Sequence, residues 1–265
     1  MSFSFIQITD HHLPESGTEL LRGFSPAYAF RAVVRHIARN TAAGADFIVS
    51  TGDMVETPSL TAYQNLAWML NANSLSVAAP GPIPTVLEGL NELPFYCLPG
   101  NHDDREHFYQ GLFPGKPALP LMNATFSHKG VQFICLDWGP ATKAVAHRAT
   151  LEFLFHSLQT NLPSILLMHH HMAPVGSRWL DDFIADEAGL FWRIARGRNI
   201  LGIFCGHTHM TYEKIVEGLP VFGLRSTAFP FALQDEPLIC LLPPHYRLVT
   251  VEEDRLSSQI FEVPL

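Results

Sequence analysis

Residues 98–104 read LPGNHDD. An amide (Asn101), an imidazole (His102) and two carboxylates (Asp103, Asp104) follow directly on the apolar run PFYCLP, 94–99. Taken alone, this is a polar turn after a strand. Four other apolar runs end in the same way. SFIQIT (4–9) leads to Asp10 and His12, and DFIVST (46–51) to Asp53. SILLMHH (164–170) runs into His169, His170 and His171, and ILGIFCG (200–206) into His207 and His209. In a parallel α/β sheet the loops beyond the strands' carboxyl ends gather at one edge, where ligands bind. Five runs that each end in ligand-type side chains therefore predict one shared site.

Residues i and i+2 of an extended segment project to the same side, roughly 6.6 Å apart. Asp10/His12 and His207/His209 have that spacing, so each pair is expected to reach one centre or two adjacent ones. Oxygen and imidazole donors without thiolate suit manganese, iron, zinc or cobalt better than a structural zinc site does. Seven such donors exceed what one tetrahedral ion uses. Two ions sharing a bridging carboxylate fit better, and Asp53 is the natural bridge.

D-x-H at 10–12, G-D at 52–53, G-N-H-D at 100–103, the His run at 169–171 and G-H-x-H at 206–209 form a five-part pattern. In order and interval, over residues 3–210, it resembles the calcineurin-like metallophosphoesterases. The tail from Ser226 to Val263 resembles that of the bacterial class III cyclic-nucleotide phosphodiesterases. The resemblance implies an α/β fold of four layers, a two-sheet β-sandwich flanked by helices, with a dinuclear site at its edge. It implies that Asp10, His12 and His209 hold one metal and that Asp53 bridges. Asn101, His207 and one of His169 or His170 hold the second, with His169 favoured. The sequence HHHMAP carries an extra residue against the family's usual HHPP, which leaves that register open. His102 is implied to face the substrate and assist the leaving group rather than bind metal.

The implied activity is hydrolysis of a small phosphodiester, a 3′,5′- or 2′,3′-cyclic nucleotide first, by water activated on two ions of manganese, iron or zinc, with cobalt also suited. A glycerophosphodiesterase or general small-diester hydrolase would use the same centre. A scaffold that keeps the fold without metals is the alternative of a different class, and the intact ligand set with His102 argues against it. Substrate choice is expected to lie in the loops 11–25, 54–93, 103–120 and 172–182. His11 and His107, beside motif residues, are candidates to touch substrate. Asp103 and Asp104 read as supporting or loop-capping groups.

The 265 residues, 47% hydrophobic, provide for a sizeable core in one domain, 1–265. The net charge of -8 and the four lysines argue against nucleic-acid polymers as partners. Arg31, Arg35 and Arg39 fall on one helical stripe, read as a solvated face. Cys97, Cys135, Cys205 and Cys240 form no C-x-x-C pair and read as reduced residues. With no signal-like N-terminus and no membrane-length apolar run, the expectation is a cytoplasmic protein without a membrane partner. Helical patterns cover 26–40, 149–160 and 183–196, and the strand-rich part 211–265 reads as an antiparallel finish. Residues 57–87 contain no Asp, Glu, Lys or Arg. This insert is expected to bury part of a homodimer interface.

Overall fold

Phe3 and Phe5 pack on one side of the first strand and Ile6 and Ile8 on the other, and all four are buried. A strand apolar on both faces needs cover on both, and here a second sheet lies on one side and helices on the other. The computed structural model describes residues 2–41, 44–70, 93–160 and 162–265. In chain order they form β1 (Ser2–Ile8), α1 (Pro26–Asn40), β2 (Phe47–Ser50), α2 (Leu60–Met69), β3 (Phe95–Cys97) and α3 (Arg105–Leu112). There follow β4 (Ala124–His128), β5 (Val131–Leu136), α4 (Arg148–Ser157), β6 (Ser164–Met168), α5 (Arg178–Asp181) and α6 (Ala188–Ala195). The chain closes with β7 (Ile200–Cys205), β8 (Tyr212–Val216), β9 (Leu219–Gly223), β10 (His245–Glu252) and β11 (Arg255–Glu262).

The strands form two sheets, ordered β11-β10-β1-β2-β3 and β4-β5-β6-β7-β9-β8. Between them Phe5 stacks on Phe47 with ring centroids 5.4 Å apart, and meets Phe133 and Phe204 edge-on at 5.5 Å each. Each fully buried Phe contributes roughly 1.5–3 kcal/mol of apolar burial. On the outer faces, α1, α2 and α3 cover the first sheet and α4 and α6 the second. These are the four layers expected. The helix expected over 26–40 runs from Pro26 to Asn40, with Pro26 in its first turn, and Arg31, Arg35 and Arg39 lie on its exposed side.

The C-terminal strands depart from a simple antiparallel finish. β8 and β9 join the second sheet, where β9 runs parallel to β7. β10 and β11 join the first, and β10 pairs antiparallel with β1 from Ser2↔Glu252 to Gln7↔Arg247. The edge strands β4 and β8 carry no apolar run, because an edge strand buries only alternate residues. The expected helix over 183–196 is shortened to α6. Residues 182–187 turn instead, and the Phe183 carbonyl accepts the Ala144 N–H (2.9 Å). Of the uncharged insert 57–87, the first part contains α2, and residues 71–87 lie outside the described residues. Among the described residues no helix is long and apolar enough to cross a membrane.

His245, at the start of β10, ties the tail to the second sheet. Its Nε2 accepts the Arg225 backbone N–H (3.1 Å) and lies 2.7 Å from the Thr211 hydroxyl. Burial, with Arg225 and Arg247 nearby, pushes its pKa down to about 3. The neutral ring's contribution is complete above the unfolded pKa near 6.5 and is lost as pH falls toward 3. We expect His245→Asn to remove a share of about 1.4 kcal/mol per pH unit from the acid-side decline of stability below about pH 6. Urea titrations at pH 7, 5.5 and 4.5 measure this, and an unchanged slope in the variant would rule out this role.

Candidate metal centre

Five parallel strands of the two sheets end at one edge and deliver the site. Asp10 and His12 follow β1, Asp53 follows β2, and Asn101 and His102 follow β3. His169 follows β6, and His207 and His209 follow β7. Backbone bonds lock these turns to one another. Asp10 N–H donates to the Gly52 carbonyl, His12 N–H to that of Asp53, and Gly206 N–H to that of His169, each at 3.0 Å. Between the sheets, the buried Gln7 amide donates to Thr51 Oγ1 (3.2 Å) and to the Cys205 carbonyl (3.3 Å).

The ligand turns are not extended, as the i, i+2 spacing suggested. Asp10, His12, Asp53, His207 and His209 all have left-handed backbone, with φ of 53°, 45°, 52°, 67° and 51°. For non-glycine residues this conformation costs on the order of 1 kcal/mol each and persists only where the surroundings enforce it. Each such residue re-aims its side chain inward at a sharp corner. His207 and His209 consequently serve different groups of donors.

Two fully buried groups of donors result, beside a partly exposed one of His12, Glu56 and His102. Asp10, His12 and His209 offer ligand atoms within 4.8 Å of one another, and so do Asp53, His169 and His207. Asn101 Oδ1 joins the second, 3.1 Å from His169 Nε2. Asp53 lies between them, its Oδ2 3.5 Å from His12 Nε2 and 3.3 Å from His169 Nε2. Its Oδ1 accepts the His102 backbone N–H at 2.8 Å. His12 Nε2 and His209 Nε2 face each other at 3.1 Å.

The second ring nitrogen is anchored in His12, His169 and His209, whereas His207 turns its Nδ1 to within 3.2 Å of His169 Nε2. His169 Nδ1 donates to the Thr51 carbonyl (2.9 Å) and His209 Nδ1 to that of Phe229 (2.7 Å), while His12 Nδ1 meets Glu56 Oε2 at 2.7 Å. Such contacts fix the tautomer and turn Nε2 toward the centre, as carboxylate and carbonyl partners do for metal-binding histidines. The donor set therefore fits divalent cations, with Asp53 able to serve both groups.

The charges agree with this. Burial works against ionisation of Asp53, yet His169, His12 and His102 hold its carboxyl well below the ordinary range. Asp10 is likewise held low against burial, chiefly by His209. His169 is raised to about 9 against burial by Asp53 and Asp10, so the field that holds a proton there would also hold a cation in its place. Burial, reinforced by His170, His169 and His171, drives His207 far down, which keeps it a neutral donor.

The other candidates read from the sequence are told apart by what each side chain touches. His170 turns away, its Nε2 donating to the Ala141 carbonyl (2.9 Å), and the geometry brings His169 rather than His170 to the centre. His11 is not near the cleft. It is fully buried behind it, bonded to Ser50 and Thr227 (2.8 Å each) and pushed down to about 3 by burial. His107 is a half-exposed partner of Asp104, which caps α3. Asp103 is buried and accepts from Gly100 N–H (2.8 Å), Met54 N–H and the Tyr63 hydroxyl (2.8 Å). His102 lines the cleft and lies against Glu56, its Nδ1 donating to the Glu56 carbonyl (3.1 Å).

Three features of the site escape sequence reasoning. Glu56 contacts both His12 and His102. Arg105 donates to the Gly100 carbonyl (2.7 Å) and the Asp103 carbonyl while paired with Asp137 in a buried ion pair. It clamps the loop bearing Asn101 and His102. An aromatic wall, including Trp179, Phe183, Phe229 and Phe231, borders a cleft of about 140 Å³ over the donors. Arg105 does leave a signal, as the one Arg within the polar run NHDDREH, 101–107. No local pattern marks the wall.

A family model described as Calcineurin-like phosphoesterase matches residues 3–211. The "3′,5′-cyclic adenosine monophosphate phosphodiesterase CpdA" of Vibrio vulnificus is 29% identical over 98% of this chain and 89% of its own. A "Probable cyclic nucleotide phosphodiesterase" of Colwellia psychrerythraea is 30% identical over 97% of this chain and 94% of its own. Among solved structures, a dimetal phosphatase from Danio rerio superposes with a TM-score of 0.60 at 13% identity, covering 99% of each chain, a likeness of fold.

A Cβ at Gly206 would lie 2.1 Å from Thr9 Oγ1 and 2.6 Å from Asp10 Oδ2. We expect Gly206→Ala to push Asp10 out of its group, costing about 1–3 kcal/mol of stability and the affinity for at least one ion. Metal stoichiometry by mass spectrometry after manganese reconstitution, with melting curves, measures both. Wild-type metal content together with wild-type melting would show that the turn yields freely.

Proposed function

The chain belongs to the calcineurin-like phosphoesterase family, and on that premise we propose that it hydrolyses small phosphodiesters, cyclic nucleotides first among them. The observation that carries this reading is the Asp53 carboxylate set between two donor groups, with His102, on the adjoining turn after β3, lining the cleft. The names of the relatives at 29–30% identity over nearly the whole chain support the cyclic-nucleotide assignment.

Asp10, His12 and His209 would hold one cation, Asn101, His169 and His207 the other, and Asp53 both. Manganese, iron and zinc all suit such a set, with cobalt a further match. Bound there, the cations supply Lewis acidity to the phosphoryl oxygens and acidify water near neutral pH.

The protein's own part is orientation and proton delivery. With His102 Nδ1 committed to the Glu56 carbonyl, Nε2 is the nitrogen free to carry a proton to a leaving oxygen. The Glu56 carboxylate, 3.6 Å from Nδ1, helps fix the orientation of the ring. Asp53 Oδ1 holds the His102 backbone, so the proton donor moves with the bridging carboxylate. A ribose alkoxide needs that proton in order to leave, whereas an aryl oxide does not.

General acid catalysis typically contributes about 10²–10⁴-fold. We expect His102→Ala to lose about that factor in kcat on 3′,5′-cAMP and less than tenfold on bis(p-nitrophenyl) phosphate, with metal content unchanged. Equal losses on both substrates would remove the acid role from His102. In the same manganese-supplemented assays Asp53→Ala should abolish both activities. If the wild type turns over glycerophosphocholine but neither 3′,5′- nor 2′,3′-cAMP, the cyclic-nucleotide assignment fails while the centre stands.

A further inference from the structure

Residues 21–24, LRGF, make a two-residue hairpin at the mouth of the cleft. Leu21 N–H donates to the Phe24 carbonyl (2.9 Å) and Phe24 N–H to that of Leu21 (2.8 Å). Both central residues have positive φ, 53° at Arg22 and 86° at Gly23, the signature of a type I′ turn. Asn-Gly is the pair such a turn favours; a long side chain at its first central position is strained. Here the strained residue is an arginine whose guanidinium carbon sits 5.4 Å from the centre of the Phe229 ring.

Arg22 is the one lysine or arginine among the described residues that line the cleft. No hydrogen bond or ion pair engages its guanidinium among the described residues. Phe229 beneath it packs on His12 (5.3 Å) and His209 (4.8 Å), so the stack stands directly on two of the metal donors. Beside it, half-buried Trp179 and Phe231 add flat apolar surface to the same cleft. The cleft's carboxylates, Asp53 and Glu56, are both occupied by imidazoles.

Resting on the phosphodiesterase reading above, we propose that Arg22 with the Phe229–Phe231–Trp179 wall is the subsite for the substrate's heterocyclic base. A planar guanidinium on an aromatic ring offers both a stacking face and a fork of donors to ring acceptors. Base–aromatic stacking is worth roughly 5- to 150-fold in affinity. The alkylammonium head of a glycerophosphodiester finds the reverse conditions, a fixed positive charge and no free carboxylate. The subsite therefore selects nucleotide diesters over cationic glycerol diesters that would use the same metal centre.

The test compares kcat/KM for 3′,5′-cAMP with that for ribose 3′,5′-cyclic phosphate, which has no base, in wild type, Arg22→Asn and Arg22→Lys. Arg22→Asn restores the favoured turn pair, so its urea midpoint should match or exceed wild type, and lost activity cannot be assigned to misfolding. We expect wild type to prefer the base-bearing substrate at least tenfold, and Arg22→Asn to lose about tenfold of that ratio, mainly through KM. Arg22→Lys keeps the charge without the plane and should recover less than half of the loss on a logarithmic scale. A ratio unchanged in Arg22→Asn, or fully restored by Arg22→Lys, overturns the base subsite while cyclic-nucleotide hydrolysis stands. If wild type cleaves neither cyclic phosphate, the reading beneath it falls and the subsite with it.

Discussion

One carboxylate organises the centre. Asp53 gives one oxygen to the His102 backbone and the other to the space between His12 and His169, so it belongs at once to both donor groups and to the proton-donating loop. The side chain can sit there only because the next turn approaches it without a Cβ. Built at Gly100, that atom would lie 2.1 Å from Asp53 Oδ1. The turns after β2 and β3 are in contact across the carboxylate, and positions of the remaining donors follow from that contact. The glycines of the G-D and G-N-H-D motifs thus have a spatial reason.

Holding two sheets in register at this edge requires polar links through an apolar sandwich. Gln7 spans it beneath the site, and the Arg105–Asp137 pair spans it at the side, joining the start of α3 to the end of β5. Asp137 also accepts the Met122 (2.9 Å) and Gly139 (2.9 Å) backbone N–H groups, so its charge is well satisfied. Breaking such a buried pair from one side leaves an uncompensated charge, at a cost of about 3–5 kcal/mol. Its purpose here is geometric, since the same guanidinium grips the carbonyls of Gly100 and Asp103.

Much of the fold is legible in the sequence because the parallel strands are buried on both faces and end in chemistry. Runs such as DFIVST and ILGIFCG are continuous apolar strands by composition, and the polar residue after each marks its carboxyl end. The edge strands β4 and β8 stay hidden for the converse reason, that alternate burial leaves no run to read. In the site, residue types can be read, but not the way the backbone aims them. Spacing places Asp10/His12 and His207/His209 together as extended pairs, whereas left-handed corners split the second pair between two groups. In HHHMAP the family resemblance favours His169 over His170, but the extra residue leaves the register open. That choice depends on carbonyls of Thr51 and Ala141, brought near by the fold alone. The aromatic wall is invisible because its members come from separate segments with no common period.

The pairing of β1 with β10 sets an order of events. Ser2 lies opposite Glu252, so β1 finds its antiparallel neighbour only after the segment from β2 to β10 has been made. At about 5–20 residues per second, that interval is on the order of 10–50 s. Until then one edge of β1 is unpaired, with Phe3 and Phe5 on an open sheet margin. His209, too, emerges long after Asp10, so the donors assemble late as well. The nascent chain must keep a sticky edge out of contact with other chains for tens of seconds.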